Sequence, residues 1–411
     1  MRDRLTVKDF LTINDFDLDG KTILLRADLN SPMDPEGNIL DDLRIKSHIQ
    51  TINELINTKL VIMAHQSRPG KNDFTTMQSH SIKLSEYLDR RIHYIEDIFG
   101  THARNTITKM KKGDIVLLEN VRFFSEETIE RSAEAHSNSH MVKKLSPLID
   151  IYLNDAFAVS HRSHLSLMGF TELLPAGAGR LMEKEILALD KGIKGTSHPN
   201  IFVLGGAKVD DSLKVAESVL SSGNVDKVLF TGIIGTVLLI ASNVDVGQVN
   251  YDFIKNQGYI DQVDKAKELL KRYNSKIKYP SDVALNNKNK RIDVDIDELK
   301  DQNLPINDIG LETIVYFSKE IENAHTVVLN GPAGISEVEQ FALGTLEIIR
   351  AATKATYSIA GGGHIAAEVR NYGYEDRFSH LSTGGGACID YLSGEKLPGI
   401  EALKNSYYNK S

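Results

Sequence analysis

The chain has 411 residues, 41 % hydrophobic and 25 % charged, and 48 basic against 56 acidic residues give it a net charge of −8. At roughly 150 residues per domain this length predicts two or three domains; the acidic balance makes a poor nucleic-acid binder, and a single cysteine rules out a disulfide framework or a thiolate zinc site and fits a reducing cytoplasm. No apolar run approaches the roughly 18 residues that span a bilayer, and the charged opening MRDRLTVKDFL lacks a signal peptide's apolar stretch, so a soluble, cytoplasmic protein is expected.

TILLRADL begins a series of short β-rich apolar runs that continues with LVIMAHQ, IVLLENV, IYLNDAF, IFVLGGA, KVLFTGI, TVVLNGP and YSIAGGG. Stretches of helical periodicity lie between most of them. Arg44 to Asn57 carries Ile45, Ile49, Ile52 and Ile56 on one helical face. LMEKEILALDKGIKGTSHPN predicts a long helix followed by a joint, and Asp211 to Leu220 predicts a helix that stops at Gly223. The polar stretch from Asn286 to Asp293, NNKNKRID, is expected to be a surface loop. Apolar strands alternating with helices predict an α/β fold of two domains, each a mainly parallel sheet covered by helices on both faces.

A composition shift divides the chain near residues 185 to 200. Strand ends before it carry Arg26, His65 with Arg68, Arg122, and His161 with Arg162. Strand ends after it carry glycine clusters: Gly205-Gly206, Gly331 with Gly334, Gly361 to Gly363, and Gly384 to Gly386. In open α/β sheets ligands bind beyond the carboxyl ends of the strands. A lone arginine there is most often a solvated charge, but arginines after successive strands suit a small polyanion, because guanidinium forks match phosphate and carboxylate oxygens. Glycine loops let backbone N–H groups approach phosphates, and one of these loops runs directly into Lys208. Two anionic substrates facing each other suggest phosphoryl transfer, whose catalysis is mostly positioning and charge neutralisation.

Other motifs fail on spacing. Gly20-Lys21-Thr22 precedes a strand instead of following one, and Gly177-Ala178-Gly179 has Met182 where a dinucleotide fingerprint needs glycine and follows no clear strand. His161 and His164 could share a helical face as metal ligands but lack a third partner. Cys388 reads as a packing residue.

In order along the chain, RADLNSP, DDLRI, AHQSRPG, LLENVRF, NDAFAVSHRSHLS, LGGAKVDDS, DIGLET, LNGPAGISE, AGGGH and STGGGA make the sequence, from Lys21 to Leu403, resemble the phosphoglycerate kinase family, with variants that look like its archaeal branch. The resemblance implies a hinged enzyme with an N-terminal domain (1–185) for 3-phosphoglycerate or 1,3-bisphosphoglycerate, an interdomain helix and hinge (186–200), a nucleotide-binding domain (201–395) and a C-terminal segment (396–411) returning to the first domain. It implies reversible transfer of the acyl phosphate of 1,3-bisphosphoglycerate to ADP, with magnesium as the nucleotide complex, and no nucleic-acid or membrane partner. By the same resemblance Asp28 and Asn30 hold the glycerate hydroxyl and carboxylate, and His65, Arg68, Arg122 and Arg162 bind the carboxylate and the non-transferred phosphate. Arg44 stabilises the phosphoryl group in flight, and Lys208, with Gly206 and Ala207, meets it from the nucleotide side. Asn330, Pro332, Gly334 and Glu337 line the adenosine site, and Gly361, Gly362, Gly363, His364 and Thr383 face the phosphates.

The departures from the family pattern fall at the phosphates. Ser212 stands where a second lysine is usual, with Lys214 two residues on, and His364 stands where a magnesium-binding aspartate is usual, so the metal ligands are left unassigned. Leu329 replaces a common tryptophan and Leu311 a proline. The alternative these departures raise is a phosphate-ligand sensor or scaffold that kept the fold and lost turnover.

Overall fold

A computed structural model describes residues 9–195 and 197–408. The first eight residues of the charged opening, Thr196 of the expected joint and the last three residues lie outside that range. The chain forms two compact units, Met1–Ile186 with Lys396–Ser411, and Leu187–Glu395.

The first unit is built on a six-stranded parallel sheet of β1 (Thr22–Arg26), β2 (Lys59–Met63), β3 (His93–Ile95), β4 (Ile115–Leu118), β5 (Ile151–Asn154) and β6 (Ala176–Ala178), ordered β3-β4-β2-β1-β5-β6. Every residue of β1, β4 and β5 is buried, which is why these strands read as continuous apolar runs. Arg26 is in register with Met63 on one side and Asn154 on the other, so the residues after β1, β2 and β5 leave the sheet along one edge. Residues from the far end of the chain complete this unit. Ala402, in the helix Pro398–Tyr408, packs with Ala156, Val159, Leu167 and Met168, and Gly399 N–H donates to the Ser160 carbonyl at 2.9 Å.

The second unit carries another six-stranded parallel sheet, of β7 (Asn200–Leu204), β8 (Lys227–Phe230), β9 (Ile277–Lys278), β13 (Thr326–Asn330), β14 (Tyr357–Gly361) and β15 (His380–Leu381), ordered β15-β14-β13-β7-β8-β9. Asn330 is level with Leu204 and Gly361, so the glycine loops after β7, β13 and β14 emerge side by side. Leu329, in the usual tryptophan position, is 1 % exposed in the core of this sheet. A small antiparallel sheet of β10 (Asp282–Asn287), β11 (Lys290–Asp295) and β12 (Ile306–Ile309) lies in the same unit.

Four local expectations change. Asn286 to Asp293 is not a loop but most of the β10–β11 hairpin, turned by Lys288 and Asn289 at φ 51° and 65°; its exposed polar side chains hid the strands. The helix expected from Arg44 to Asn57 is two, Leu43–Ser47 and Ile49–Glu54, interrupted at His48. The His48 side chain is buried and committed elsewhere, with Nε2 accepting Asp28 N–H at 3.0 Å and Nδ1 2.7 Å from Asp155 Oδ2. His161 and His164 sit in the turn before the helix Leu165–Met168, not on a helical face. Gly177-Ala178 belongs to the edge strand β6.

Candidate functional site

In the first unit the residues following β1, β2, β4 and β5 form one bonded group. Asn30 Oδ1 accepts Ser67 N–H at 2.6 Å, tying the loop after β1 to the loop after β2. Arg44, in the helix after the β1 loop, places Nη1 2.5 Å from Asp28 Oδ2 while its side chain stays 36 % exposed. Arg122, just beyond β4, donates through Nη1 to the Ser67 carbonyl, and its buried Nε has no partner. His65 Nδ1 lies 3.2 Å from Arg26 Nη2 and 3.7 Å from Asp28 Oδ1.

The field here is positive. Burial, then Arg26, Arg122 and Arg44, hold His65 well below the ordinary histidine value. Burial, then Arg122, Arg26 and Arg162, push His164 down to about 3. Burial and the Arg26 guanidinium likewise hold Arg122 below the usual arginine value. Asp28 is the one carboxylate within ion-pair distance of this group, and Arg68, Arg122 and Arg162 have no acidic partner among the described residues. Converging guanidinium groups short of counter-charge, with neutral imidazoles between them, make a binding surface for a small polyanion. Arg68 and Arg162 are exposed, and no hydrogen bond ties the Arg68 side chain to the cluster.

In the second unit the loops after β7, β8 and β13 are locked together by backbone hydrogen bonds. Gly205 N–H donates to the Asn330 carbonyl at 2.8 Å, Gly206 N–H to Pro332 at 2.7 Å and Gly232 N–H to Ala333 at 2.9 Å. A Cβ on Gly331, at φ +83°, would meet the Gly205 carbonyl oxygen at 2.4 Å, so only glycine fits there. This corrects the expectation that Gly205-Gly206 offers its amides to phosphate: those amides are spent on loop–loop packing. Helix starts offer amides instead, beyond Val209, whose N–H donates to the Ala207 carbonyl at 3.2 Å. Lys208 caps the helix Val209–Ser221, and Gly362, at φ +94°, caps the helix Gly363–Asn371, whose first turn contains His364. Lys208 is 69 % exposed, with its nearest carboxylate, Asp211, at 4.0 Å.

Beside these loops a cavity of about 370 Å³ collects Gly206, Ala207, Pro332, Gly334, Glu337 and His364 from the expected set. Its walls are largely apolar, with Leu239, Phe253, Val283 and Ile306 among them, which suits the flat face of a base. Lys208, Asn330, Gly361 to Gly363 and Thr383 lie outside its lining. Asn330 is instead buried against the glycine loop, where a Cβ on Gly362 would meet its Oδ1 at 2.9 Å. In the STGGGA loop Gly384 N–H is taken by Ser382 Oγ at 3.1 Å.

The donor chemistry around the cavity does not make a metal site. Asp308 is engaged by Arg291 Nη1 at 2.8 Å and by the backbone amides of Ile309 and Gly344 at 2.9 and 2.8 Å, and its burial raises it to about 6. Among the described residues no group of three or more His, Cys, Asp or Glu stands where it could hold a metal ion.

Arg26, expected with the other strand-end arginines to face a polyanion, is instead 1 % exposed and bonded to His65. Several residues around the two sites went unread in the sequence. His48 and Asp155 are buried beneath Asp28, and Glu127 and Ser166 behind Arg26. Tyr259 Oη donates to the Ala207 carbonyl at 2.7 Å, bracing the loop that ends at Lys208.

The phosphoglycerate kinase family model matches residues 13–395. The chain is 62 % identical over 403 residues to phosphoglycerate kinase 2 of Methanosarcina acetivorans, covering 98 % of this chain and 97 % of that one. It is 61 % identical over 403 residues to the phosphoglycerate kinase of Methanosarcina mazei, with the same coverage. The crystal structure of phosphoglycerate kinase from Pyrococcus horikoshii OT3 superposes with a TM-score of 0.87 at 41 % identity, covering 97 % of this chain and 100 % of that one.

Proposed function

The chain belongs to the phosphoglycerate kinase family, phosphotransferases with a carboxyl group as acceptor, and we propose that its two units divide the work of reversible transfer from 1,3-bisphosphoglycerate to ADP. The arginine-lined edge of the first unit takes 3-phosphoglycerate or 1,3-bisphosphoglycerate. Arg68, Arg122 and Arg162 neutralise the non-transferred phosphate and the carboxylate, Asp28 and Asn30 orient the glycerate, and His65 donates a hydrogen bond. The second unit takes ADP or ATP, with the base in the apolar cavity, Glu337 at the ribose, and the helix starts at Val209 and Gly363 turned to the phosphates.

Transfer passes a phosphoryl group whose charge is spread over its oxygens, so catalysis is positioning and neutralisation. Arg44 uses one guanidinium nitrogen on Asp28 and has the rest of its fork for the moving group, and Lys208 supplies the charge from the nucleotide side. The observation that carries this reading is the set of arginines without counter-charge beyond the strands of the first unit.

Magnesium enters with the nucleotide as part of the substrate, held by phosphate oxygens and water. The residues present do not fit a protein-held ion, because Asp308 is consumed by Arg291 and His364 offers an imidazole where a hard oxygen is needed. A cytoplasmic setting agrees with a single, buried cysteine that forms no disulfide.

A coupled assay of ATP formation from 1,3-bisphosphoglycerate and ADP tests the reading. Turnover lost in both Arg44→Ala and Lys208→Ala is the expected result. Binding of both ligands without turnover by the wild type would overturn it in favour of a ligand sensor.

A further inference from the structure

Behind the arginine-lined edge lies a directed chain of hydrogen bonds that no expected site residue explains. Glu127 is fully buried; its Oε2 accepts Ser166 N–H at 2.9 Å and its Oε1 accepts the Ser166 hydroxyl at 2.7 Å. A hydroxyl has one proton. Having given it to Glu127, Ser166 Oγ can only accept, and it accepts Arg26 Nε–H at 2.8 Å. Arg26 is 1 % exposed, donates through Nη1 to the Ala27 carbonyl, and places Nη2 3.2 Å from His65 Nδ1.

A guanidinium has donors and no acceptor. His65 Nδ1 must therefore accept, and the proton of a neutral imidazole is left on Nε2. No hydrogen bond among the described residues engages that Nε2. The competing partner of Nδ1 is Asp28 Oδ1 at 3.7 Å, which calls for the opposite tautomer and lies beyond hydrogen-bond length. The other charged groups acting on His65 are Arg122 and Arg44, and His164 lies close by.

We propose that Glu127 and Ser166 are positioning residues which, through Arg26, hold His65 as the Nε2–H tautomer and so present that N–H as a donor to the anionic substrate. The inference rests on the assignment of His65 to the acid-phosphate site. It adds to that assignment which ring nitrogen meets the ligand and what keeps it there. Glu127 also supplies negative charge behind Arg26, where the cluster is otherwise short of it.

The test is nitrogen-15 spectroscopy of the imidazoles in the full-length protein near pH 7 without ligand, with the His65 signal assigned by its loss in His65→Gln. In the wild type His65 shows a protonated Nε2 and a bare Nδ1. Ser166→Ala removes the acceptor that orients Arg26, and His65 then shifts toward Nδ1–H facing Asp28. KM for 3-phosphoglycerate rises about threefold to tenfold, the scale of one hydrogen bond, while kcat and KM for ATP stay within about twofold. Ser166→Thr restores the hydroxyl and returns both readouts toward wild type. Glu127→Gln, which keeps the shape, moves both in the same direction and serves if Ser166→Ala folds poorly. A wild-type His65 carrying its proton on Nδ1, or ring signals and KM unmoved in both Ser166→Ala and Glu127→Gln, overturns the inference and leaves the site assignment standing. An unchanged KM for 3-phosphoglycerate in His65→Gln overturns the site assignment, and the inference with it.

Discussion

Arg44 gives one guanidinium nitrogen to Asp28, 2.5 Å away, and is still 36 % exposed. Such a residue is oriented before any ligand arrives and has donors to spare. Arg44→Ala is expected to lower kcat by on the order of 10³ or more, the scale of a cationic group acting on a transferring phosphoryl group, with KM for ATP nearly unchanged. Arg44→Lys is expected to be almost as poor, because a point charge cannot hold Asp28 and a phosphate at once. Steady-state kinetics of both variants check this, and a loss below about tenfold in Arg44→Ala sinks the role.

Lys208 and Lys214 test whether charge or place matters at the nucleotide phosphates. Lys214 lies on the helix Val209–Ser221 with Nζ 3.6 Å from Glu395, while Ser212, in the usual second-lysine position, is buried. An exposed pair of this kind is worth little. Lys214→Ala should keep activity within about threefold, whereas Lys208→Ala should lose most of it. Comparable losses in the two variants would show that Lys214 has taken over the missing lysine's task.

With His364 in place the enzyme is expected to require magnesium but with weak apparent affinity. An imidazole is a poor ligand for so hard an ion, and Asp308, also in the cavity lining, is already committed. His364→Asp should therefore lower the magnesium concentration that gives half-maximal activity, and manganese should substitute for magnesium. Metal titrations of wild type and variant decide it. Tight magnesium binding by the wild type without nucleotide would reveal a carboxylate site elsewhere.

His164 predicts a pH dependence of stability. Burial and the arginines lower it in the folded state to about 3, while the unfolded chain titrates near the ordinary histidine value of 6.5. A depressed value means stability that is fully present above the unfolded pKa and falls as the solution is acidified toward the folded one. Over that window one such group contributes a slope of about 1.4 kcal/mol per pH unit. Urea midpoints followed by circular dichroism between pH 7 and 5 should fall less steeply for His164→Gln than for wild type. Parallel curves would mean that His164 is solvated or protonated in the folded protein.

The main architecture was legible because buried parallel strands advertise themselves: all eight apolar runs became strands. The short strands β3, β6, β9 and β15 were not, since two or three residues carry no periodicity. The β10–β11 hairpin was hidden by polar side chains and by a turn of Lys288 and Asn289 with no glycine to mark it. The helix break at His48 could not be read from the spacing of its isoleucines, because its cause, Asp155, lies 107 residues away. The same limit applied at the sites. Residues following strand ends stand out, whereas Glu127 and Ser166, 39 residues apart, meet only in the fold. The glycines of the second unit were visible, but not that Gly205 and Gly206 spend their amides on neighbouring loops.

The helix Pro398–Tyr408 also sets an order of events during synthesis. The second unit is one continuous stretch, Leu187–Glu395, and a ribosome has made all of it before reaching Lys396. The first unit begins earlier yet lacks Ala402, Gly399 and their contacts with Ala156, Val159 and Ser160 until then. The unit that holds the earliest residues therefore depends on the latest ones, and cannot close its core until they are joined. Termination between Glu395 and Ala402 would leave the older half of the polypeptide, not the newer, without part of its core.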